Sequence, residues 1–359
     1  MIGSYAIYIG VLVICWLCAY LANRYNRKAF VWIIITLLTL LAGLRDESVG
    51  MDTAGYLNLF GMIGSGQFHL AYGLEESFKY IVYGILRLIP DRRFLLVLFA
   101  FIANWCIVIR FWELRKLSSF ACMVLCYYMA FYFASLNAIR QFIAVGIIFY
   151  STRYLSRKKI LPFVIAVLVA MQFHRSALIG FVLLAMNCIR WRELLKHQKV
   201  LYILSVLITP VLIVATIQLV GRYAKYFSNT TVDIGMMLLL KMAFLAATLI
   251  FVFGVHRGYG YFRNGHLLSS EDRYQILIAT MCYFVALLLA AFGYIFEYVQ
   301  RISWYYYLFE GVYFGMLLKG KNPVNRLLFG YFIAFVIGYG FIYSMTNNSH
   351  GTMPYLFFW

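Results

Sequence analysis

Long apolar stretches alternate with short polar connections along the whole chain. Each stretch is close to the roughly 20 residues that an α-helix needs to cross a bilayer. The stretches lie at about 2–22, 29–44, 94–112, 118–135, 139–155, 160–173, 176–189, 200–220, 234–255, 275–296, 302–318 and 327–345. The pattern predicts an all-α integral membrane protein, a polytopic helical bundle with about 12 transmembrane segments, some of them short or re-entrant.

The composition supports this fold class. Of 359 residues, 64% are hydrophobic and 12% are charged, whereas a soluble domain is roughly half apolar. Five prolines and no long polar tract leave no linker, so residues 1–359 are predicted to form a single domain. All seven cysteines fall within apolar stretches, which favours buried thiols over a disulfide framework or a metal site.

The connections differ in charge. Six of them, at 24–28, 110–116, 153–159, 190–199, 256–273 and 319–326, carry about 20 of the 31 Lys and Arg residues. Cytoplasmic loops are enriched in these residues, so we predict that the six connections face the cytoplasm and that both termini are extracytoplasmic. Because this orientation accounts for most of the net charge of +18, the basic balance gives little support to nucleic-acid binding.

Unusual polar residues collect on the predicted outer side. An extracytoplasmic loop is predicted at about 45–93, where the stretch 78–90 is too short and too charged to span and is predicted to be amphipathic or re-entrant. If residues 137–141 are helical, Asn137, Arg140 and Gln141 share one polar face. Lys241, inside an apolar stretch, is expected to extend its amine to the outer interface.

These outer residues suit one kind of chemistry. The chain has no Gly-rich phosphate loop, no CxxC pair and no nucleophile elbow, which argues against ATP use, redox work and acyl-enzyme chemistry. Arginine binds diphosphate oxygens through two N–H groups and stays charged, and histidine can accept a proton near neutral pH. Together they fit glycosyl transfer from a polyprenyl diphosphate sugar, for which one general base is enough.

Six short motifs follow one another along nearly the whole chain. They are Gly43–Arg45 with Val49–Asp52 and Tyr56, then Glu75–Phe78, Asn137–Ala144, Phe173–Ala177, Arg301 with Tyr305, and Pro354–Tyr355. In this order they resemble the EpsG family of Wzy-like bacterial exopolysaccharide polymerases. The resemblance implies a fold similar to that of GT-C glycosyltransferases. It also implies that undecaprenyl-diphosphate-linked repeat units are polymerised into exopolysaccharide, capsule or O-antigen on the outer face of the cytoplasmic (inner) membrane.

The resemblance also implies the site residues. The family's motif positions are taken here by Arg45, Asp52, Glu75, Arg140, His174 and Arg301. Glu76 stands where a proline is expected, which leaves open whether Glu75 or Glu76 is the counterpart. The catalytic candidates are His174, the first choice as general base, Asp52, the second, and Glu75. The substrate-binding candidates are Arg45, Arg140 and Arg301 for the diphosphate, Tyr56 and Tyr305 for stacking on sugar rings, and Asn137 and Gln141.

The expected partners are the lipid-linked donor and acceptor, membrane lipids, a chain-length regulator and a flippase. No metal, other cofactor or nucleic acid is expected. Two other functions stay open at this point. A flippase or exporter of the same lipid-linked oligosaccharide fits the composition equally well, although it would be expected to have charges near the membrane midplane and symmetric halves. A ligase that moves finished glycan to another acceptor shares the polymerase chemistry.

Overall fold

The described chain is helical almost throughout. A computed structural model describes residues 2–188, 236–249, 259–262, 268–293 and 297–358. Its α-helices are α1 (Ile2–Tyr25), α2 (Lys28–Gly43), α3 (Thr53–Gly64), α4 (Glu76–Leu88), α5 (Arg92–Leu114), α6 (Phe120–Tyr127), α7 (Phe133–Asn137), α8 (Ile139–Ser156), α9 (Ile160–Phe173), α10 (Gly180–Cys188), α11 (Met236–Leu249), α12 (Ser270–Gly293), α13 (Glu297–Leu317) and α14 (Pro323–Thr346). A π-helical turn, Tyr128–Tyr132, joins α6 to α7, and a 3-10 helix, Arg175–Ile179, joins α9 to α10.

Five helical segments among the described residues are long and apolar enough to cross a membrane. They are α1, α5, the continuous segment Phe120–Asn137, α12 and α14. Shorter apolar helices of 10–17 residues add to the bundle, among them α2 and α9. The predicted stretch 200–220 and the loop 190–199 lie outside the described residues. The chain is therefore a helical, multi-pass membrane protein, while the number of twelve crossings and the sidedness of the termini stay predictions.

Close helix contacts depend on glycine at two places. A Cβ on Gly43, at the end of α2, would lie 2.9 Å from the Cα of Val97 in α5. A Cβ on Gly315 in α13 would lie 2.8 Å from the backbone nitrogen of Ser119, which precedes α6. Small residues let helix backbones approach in this way, so the two glycines determine how closely α2 packs on α5 and how closely α13 packs on the start of α6.

The C-terminal tail, residues 347–358, folds back over the start of the 45–93 connection. Backbone hydrogen bonds link Gly50 N–H to the Gly351 carbonyl at 2.7 Å and Asp46 N–H to the Leu356 carbonyl at 2.9 Å. The Tyr355 N–H donates to Ser4 Oγ at 2.9 Å. Both ends of the described chain therefore lie at the same end of the bundle, as expected if both termini share one side of the membrane.

Candidate active site

One buried carboxylate joins three elements at this end of the bundle. Glu75, the N-cap residue of α4, forms an ion pair with the guanidinium of Arg140 in the first turn of α8. Its second oxygen accepts a hydrogen bond from the backbone N–H of Arg175, the first residue of the 3-10 helix, at 2.9 Å. The two paired side chains are 11% and 13% exposed. Glu75 therefore fixes the relative positions of α4, α8 and the junction after α9.

The neighbouring Glu76 is directed elsewhere. It is exposed and pairs with Lys79 at 2.7 Å, within α4. Glu75 is thus the carboxylate that contacts the cluster. Both of its oxygens accept from donors, one from the Arg140 guanidinium and one from the Arg175 N–H. This geometry supports a positioning role for Glu75 rather than the catalytic role predicted from the resemblance.

Arg140 lies between an aromatic ring and the N-terminus of its own helix. Its guanidinium lies over the ring of Phe78, 5.5 Å from the centroid, which is within the range of a cation–π contact. The N-cap of α8, Ala138, has no side chain that could bond the first N–H groups of the helix, so the positive end of the helix dipole adds to the charge. The carboxylate of Glu75 is the negative charge paired with this guanidinium.

His174 lies beside this pair. It ends α9 with an extended backbone, and its Nδ1 accepts a hydrogen bond from the Ser176 N–H at 3.3 Å. The hydroxyl of Ser176 is 2.5 Å from the same nitrogen and 2.9 Å from the hydroxyl of Tyr305. Burial lowers the pKa of His174 to about 4, and the charges of Arg140 and Arg301 act in the same direction while Glu75 opposes them. The imidazole is therefore neutral at pH 7.

Arg301 is the exposed cation of this cluster. It lies in the second turn of α13, and its carbonyl accepts a hydrogen bond from the Gln141 side chain at 2.8 Å. Among the acidic side chains that the structure describes, none lies within ion-pair distance of the Arg301 guanidinium; the side chain of Glu297, four residues earlier, is outside that set. Gln141 itself is 3% exposed. Gln141 therefore links α13 to α8, and its predicted contact with substrate is corrected. The Arg301 side chain stays accessible.

Tyr56 and Asp52 border the cluster from α3. Burial raises the pKa of the Tyr56 phenol, and the nearby Arg140 charge opposes part of that shift. The Asp52 carboxylate, one turn before Tyr56, acts on the same phenol. Asp52 occupies the N-cap position of α3 but makes no capping hydrogen bond with its side chain, and it is exposed. Its carboxylate is therefore available at the edge of the cluster.

Arg45 does not belong to the accessible part of the site. It is 1% exposed and donates to Thr53 Oγ1 at 3.0 Å, to the Leu136 carbonyl at 2.8 Å and to the Ala42 carbonyl. Both carbonyls belong to the last turns of helices, α7 and α2, where the dipole favours a cation. Burial lowers the pKa of Arg45 to about 10, so it stays charged. Arg45 therefore links the ends of α2 and α7, which corrects its predicted contact with the diphosphate.

The single polar face predicted at 137–141 is wrong. The helix breaks at Ala138 (φ −87°, ψ 53°), so Asn137 ends α7 while Arg140 starts α8. Asn137 instead donates to the His350 carbonyl of the C-terminal tail at 2.9 Å, which corrects its predicted role in substrate binding. Tyr305 is also corrected, because a side chain that is 0% exposed cannot stack on a sugar ring.

All residues of this cluster fall within the part of the chain that one family profile matches. The sequence profile of the EpsG family matches residues 28–357, nearly the whole chain. The chain belongs to the EpsG family. Members of the EpsG family are Wzy-like polysaccharide polymerases, so a glycosyltransferase-like polymerase role follows broadly from membership. No curated protein and no solved structure matches the chain.

Two polar interactions of this EpsG-family chain were not predicted from its sequence. Ser176, inside the motif around His174, is the hydroxyl that links His174 to Tyr305; its place two residues after a helix-ending histidine is the signal that could have identified it. Glu310 in α13 is 0% exposed and pairs with Lys241 of α11 at 2.7 Å. Lys241 therefore does not extend to the interface as expected, because a buried carboxylate stabilises its charge inside the bundle.

Proposed function

We propose that this protein joins oligosaccharide repeat units carried on undecaprenyl diphosphate into a polysaccharide on the outer face of the bacterial cytoplasmic membrane. The observation that best supports this function is the excess of positive charge around one buried carboxylate. Arg140 and Arg301 lie close to a neutral His174, and the charge of Glu75 acts against theirs on that ring. Such a surface favours a dianionic group whose charge rises as a bond breaks.

The two arginines have different roles in this proposal. Arg301 is exposed and binds the diphosphate of the donor directly. Arg140 is held by Glu75 through one terminal nitrogen and uses its other terminal nitrogen, while its Nε is buried and has no partner in the described part of the chain. Because the planar guanidinium can offer two parallel N–H groups to phosphate oxygens, lysine at either position would be a poor replacement.

The transfer itself is a single displacement at carbon. The oxygen of an acceptor hydroxyl bonds to the anomeric carbon of the donor while the bond from that carbon to the diphosphate oxygen breaks. The electron pair leaves with the diphosphate, and the two arginines stabilise the added charge. The hydroxyl proton passes to a base, for which His174 and Asp52 are the two candidates. This scheme uses neither a metal nor a nucleotide, and it leaves delivery of the substrate to a flippase and chain length to a chain-length regulator.

Charge at the site can be tested by substitution in purified protein reconstituted into liposomes with a synthetic undecaprenyl-diphosphate repeat unit. Arg140→Lys and Arg301→Gln are expected to lower polymer yield by about 10- to 100-fold, the range for loss of a hydrogen bond to a charged group. Arg157→Gln is the matched control, since Arg157 caps the opposite end of α8 and pairs with Glu271 at 3.6 Å. Undiminished chain length in Arg140→Lys would remove Arg140 from the chemistry.

A further inference from the structure

The hydrogen bonds around His174 determine which ring nitrogen carries the proton. A backbone N–H can only donate, so the bond from the Ser176 N–H to Nδ1 requires a lone pair on that nitrogen. The neutral ring must then hold its hydrogen on Nε2. Protonation of this tautomer would place a new N–H on Nδ1, facing the amide hydrogen of Ser176. This clash opposes the charged form in addition to the burial of the ring.

Two hydroxyls extend this arrangement. Ser176 Oγ lies 2.5 Å from His174 Nδ1, and because Nδ1 is an acceptor, the serine hydroxyl must be the donor. Ser176 Oγ then accepts from the Tyr305 hydroxyl, 2.9 Å away. Tyr305 is fully buried, so its O–H has few other partners to choose from. The chain of donors runs in one direction, from Tyr305 through Ser176 to Nδ1, and it holds the ring in the Nε2–H form.

We infer that His174 is a hydrogen-bond donor in the transfer reaction, held in its Nε2–H tautomer by Ser176 and Tyr305 as positioning residues. This inference rests on the proposed function and changes one role within it. A ring whose only accessible nitrogen already carries a hydrogen cannot take the proton of the acceptor hydroxyl. His174 instead donates its Nε2–H to an oxygen of the departing diphosphate, beside Arg140 and Arg301. No described residue accepts from Nε2 in the structure, which leaves it free for a ligand.

The proton of the acceptor hydroxyl then goes to Asp52. Its carboxylate is exposed and unused by the helix cap, whereas both oxygens of Glu75 are engaged. Asp52 acts on the same Tyr56 phenol that Arg140 reaches, so the carboxylate lies on the α3 side of the cluster and His174 on the α9 side. A base and a leaving-group donor on different sides of the reacting carbon suit a single displacement.

Two amide substitutions separate the donor role from the base role. In His174→Gln the side-chain NH₂ reaches the place of Nε2 and can donate, while in His174→Asn it reaches only the place of Nδ1; neither amide can act as a base. The donor role predicts that His174→Gln stays within about tenfold of the parent rate and that His174→Asn loses about 10- to 100-fold. Equal and severe losses in both variants would overturn the donor role. His69→Gln, at an exposed outer position, is the control.

The positioning residues need a readout that does not depend on activity. Solid-state ¹⁵N NMR of histidine-labelled protein in lipid distinguishes the two neutral tautomers, and the signals of His174 among the six histidines are assigned by their loss in His174→Gln. We expect an unprotonated Nδ1 and a protonated Nε2 at pH 7. A protonated Nδ1 would refute the tautomer. If this tautomer is found and no polymer is formed from the synthetic repeat unit, the proposed function fails while the geometry stands.

Variants of the two hydroxyls complete the test. Tyr305→Phe and Ser176→Ala are expected to shift the Nδ1 signal and to lower kcat by about 2- to 10-fold, the range for a neutral hydrogen bond, with KM for the donor unchanged. Ser176→Thr keeps the hydroxyl and should restore the rate. Tyr306→Phe is the matched control, because the Tyr306 hydroxyl donates to the Ile179 carbonyl instead. An unchanged Nδ1 signal in Tyr305→Phe would remove Tyr305 from the positioning role.

Discussion

The positive charges of three arginines in the predicted site are stabilised in three different ways. Arg140 pairs with a carboxylate, Arg45 is bonded to helix-terminal carbonyls and a threonine, and Arg301 is exposed to solvent. A buried charge is stable only when its partners remain in place. Arg45 therefore cannot release its partners to bind substrate without destabilising the fold, whereas Arg301 can accept a ligand at little cost. This distinction depends on burial, which no motif in the sequence reports.

Glu75 and Glu76 offer a direct comparison at the residue scale. Glu75→Gln leaves the Arg140 guanidinium without its buried counter-charge, which costs about 3 kcal/mol where a pair is well buried. Glu76→Gln removes only an exposed pair with Lys79, worth at most about 1 kcal/mol. We expect thermal unfolding in detergent to show a clearly lower transition for Glu75→Gln than for Glu76→Gln. Equal transitions would mean that the Glu75–Arg140 pair contributes little to stability.

His174 predicts a specific dependence of stability on pH. Its pKa in the folded protein is about 4, below the ordinary value near 6.5, so the unfolded chain takes up a proton that the folded chain does not. Stability is therefore lost as pH falls from about 6.5 to about 4, by at most about 3 kcal/mol. Unfolding measured from pH 7.5 to pH 4 should show a steeper acid loss in the parent than in His174→Gln, with His69→Gln resembling the parent. Parallel curves would contradict the lowered pKa.

The residues of the site could be predicted better than their roles. The resemblance named Glu75, Arg140, His174 and Arg301, and the structure places these four residues close together, while their roles stay predictions. It could not show that Tyr305 is buried, because aromatic residues are used both in membrane cores and at sugar sites. Ser176 was missed because a serine after a helix end most often satisfies its own backbone.

At the scale of elements, apolar periodicity predicted the helices but not their interruptions. Most of the predicted stretches that fall on described residues coincide with a helix, and the outer stretch 78–90 lies mostly within the amphipathic α4. The break at Ala138 was not predictable from residues 137–141 alone. Asn137 ends its helix with its side-chain amide bonded to the C-terminal tail, more than 200 residues later in the chain. A local pattern contains no information about such a partner.

The pair between Lys241 and Glu310 links α11 to α13 and can be tested as a unit. Glu310→Leu alone should destabilise the protein by about 3–5 kcal/mol, because it leaves a buried ammonium uncompensated. The double variant Lys241→Met/Glu310→Leu should recover most of that loss, since both charges are gone. Thermal unfolding of Lys241→Met, of Glu310→Leu and of the double variant measures the coupling. A double variant that is stable but makes no polymer would show that the pair serves the reaction instead.

At the scale of the whole molecule, the two ends of the bundle differ in chemistry. One end carries the C-terminal tail and the candidate active site, and the other carries basic residues that the positive-inside rule assigns to the cytoplasm. Tyr72 in the 45–93 connection and Lys158 between α8 and α9 are both exposed. Tyr72 belongs to the connection at the end with the candidate active site, and Lys158 belongs to one of the basic connections. The two residues can therefore serve as labelling positions for the two ends.

Labelling of these positions tests the predicted orientation. The six cysteines whose side chains are described are buried, so a new exposed cysteine should react above background. With a membrane-impermeant maleimide on intact cells, Tyr72→Cys should be labelled, and Lys158→Cys should be labelled only after permeabilisation. The unsubstituted protein gives the background. The reverse pattern would place the candidate site in the cytoplasm and exclude an outer-face polymerase.

We propose that this chain needs no other protein to join lipid-linked repeat units at the Arg140–Arg301 cluster. The most direct measurement incubates purified protein in liposomes with a synthetic undecaprenyl-diphosphate repeat unit, with no nucleotide or added metal, and separates the products by size. We expect a ladder spaced by one repeat unit, strongly reduced in Arg301→Gln and unchanged in Arg157→Gln. Movement of the substrate across the bilayer without a ladder, or transfer of a single glycan to another acceptor, would contradict it.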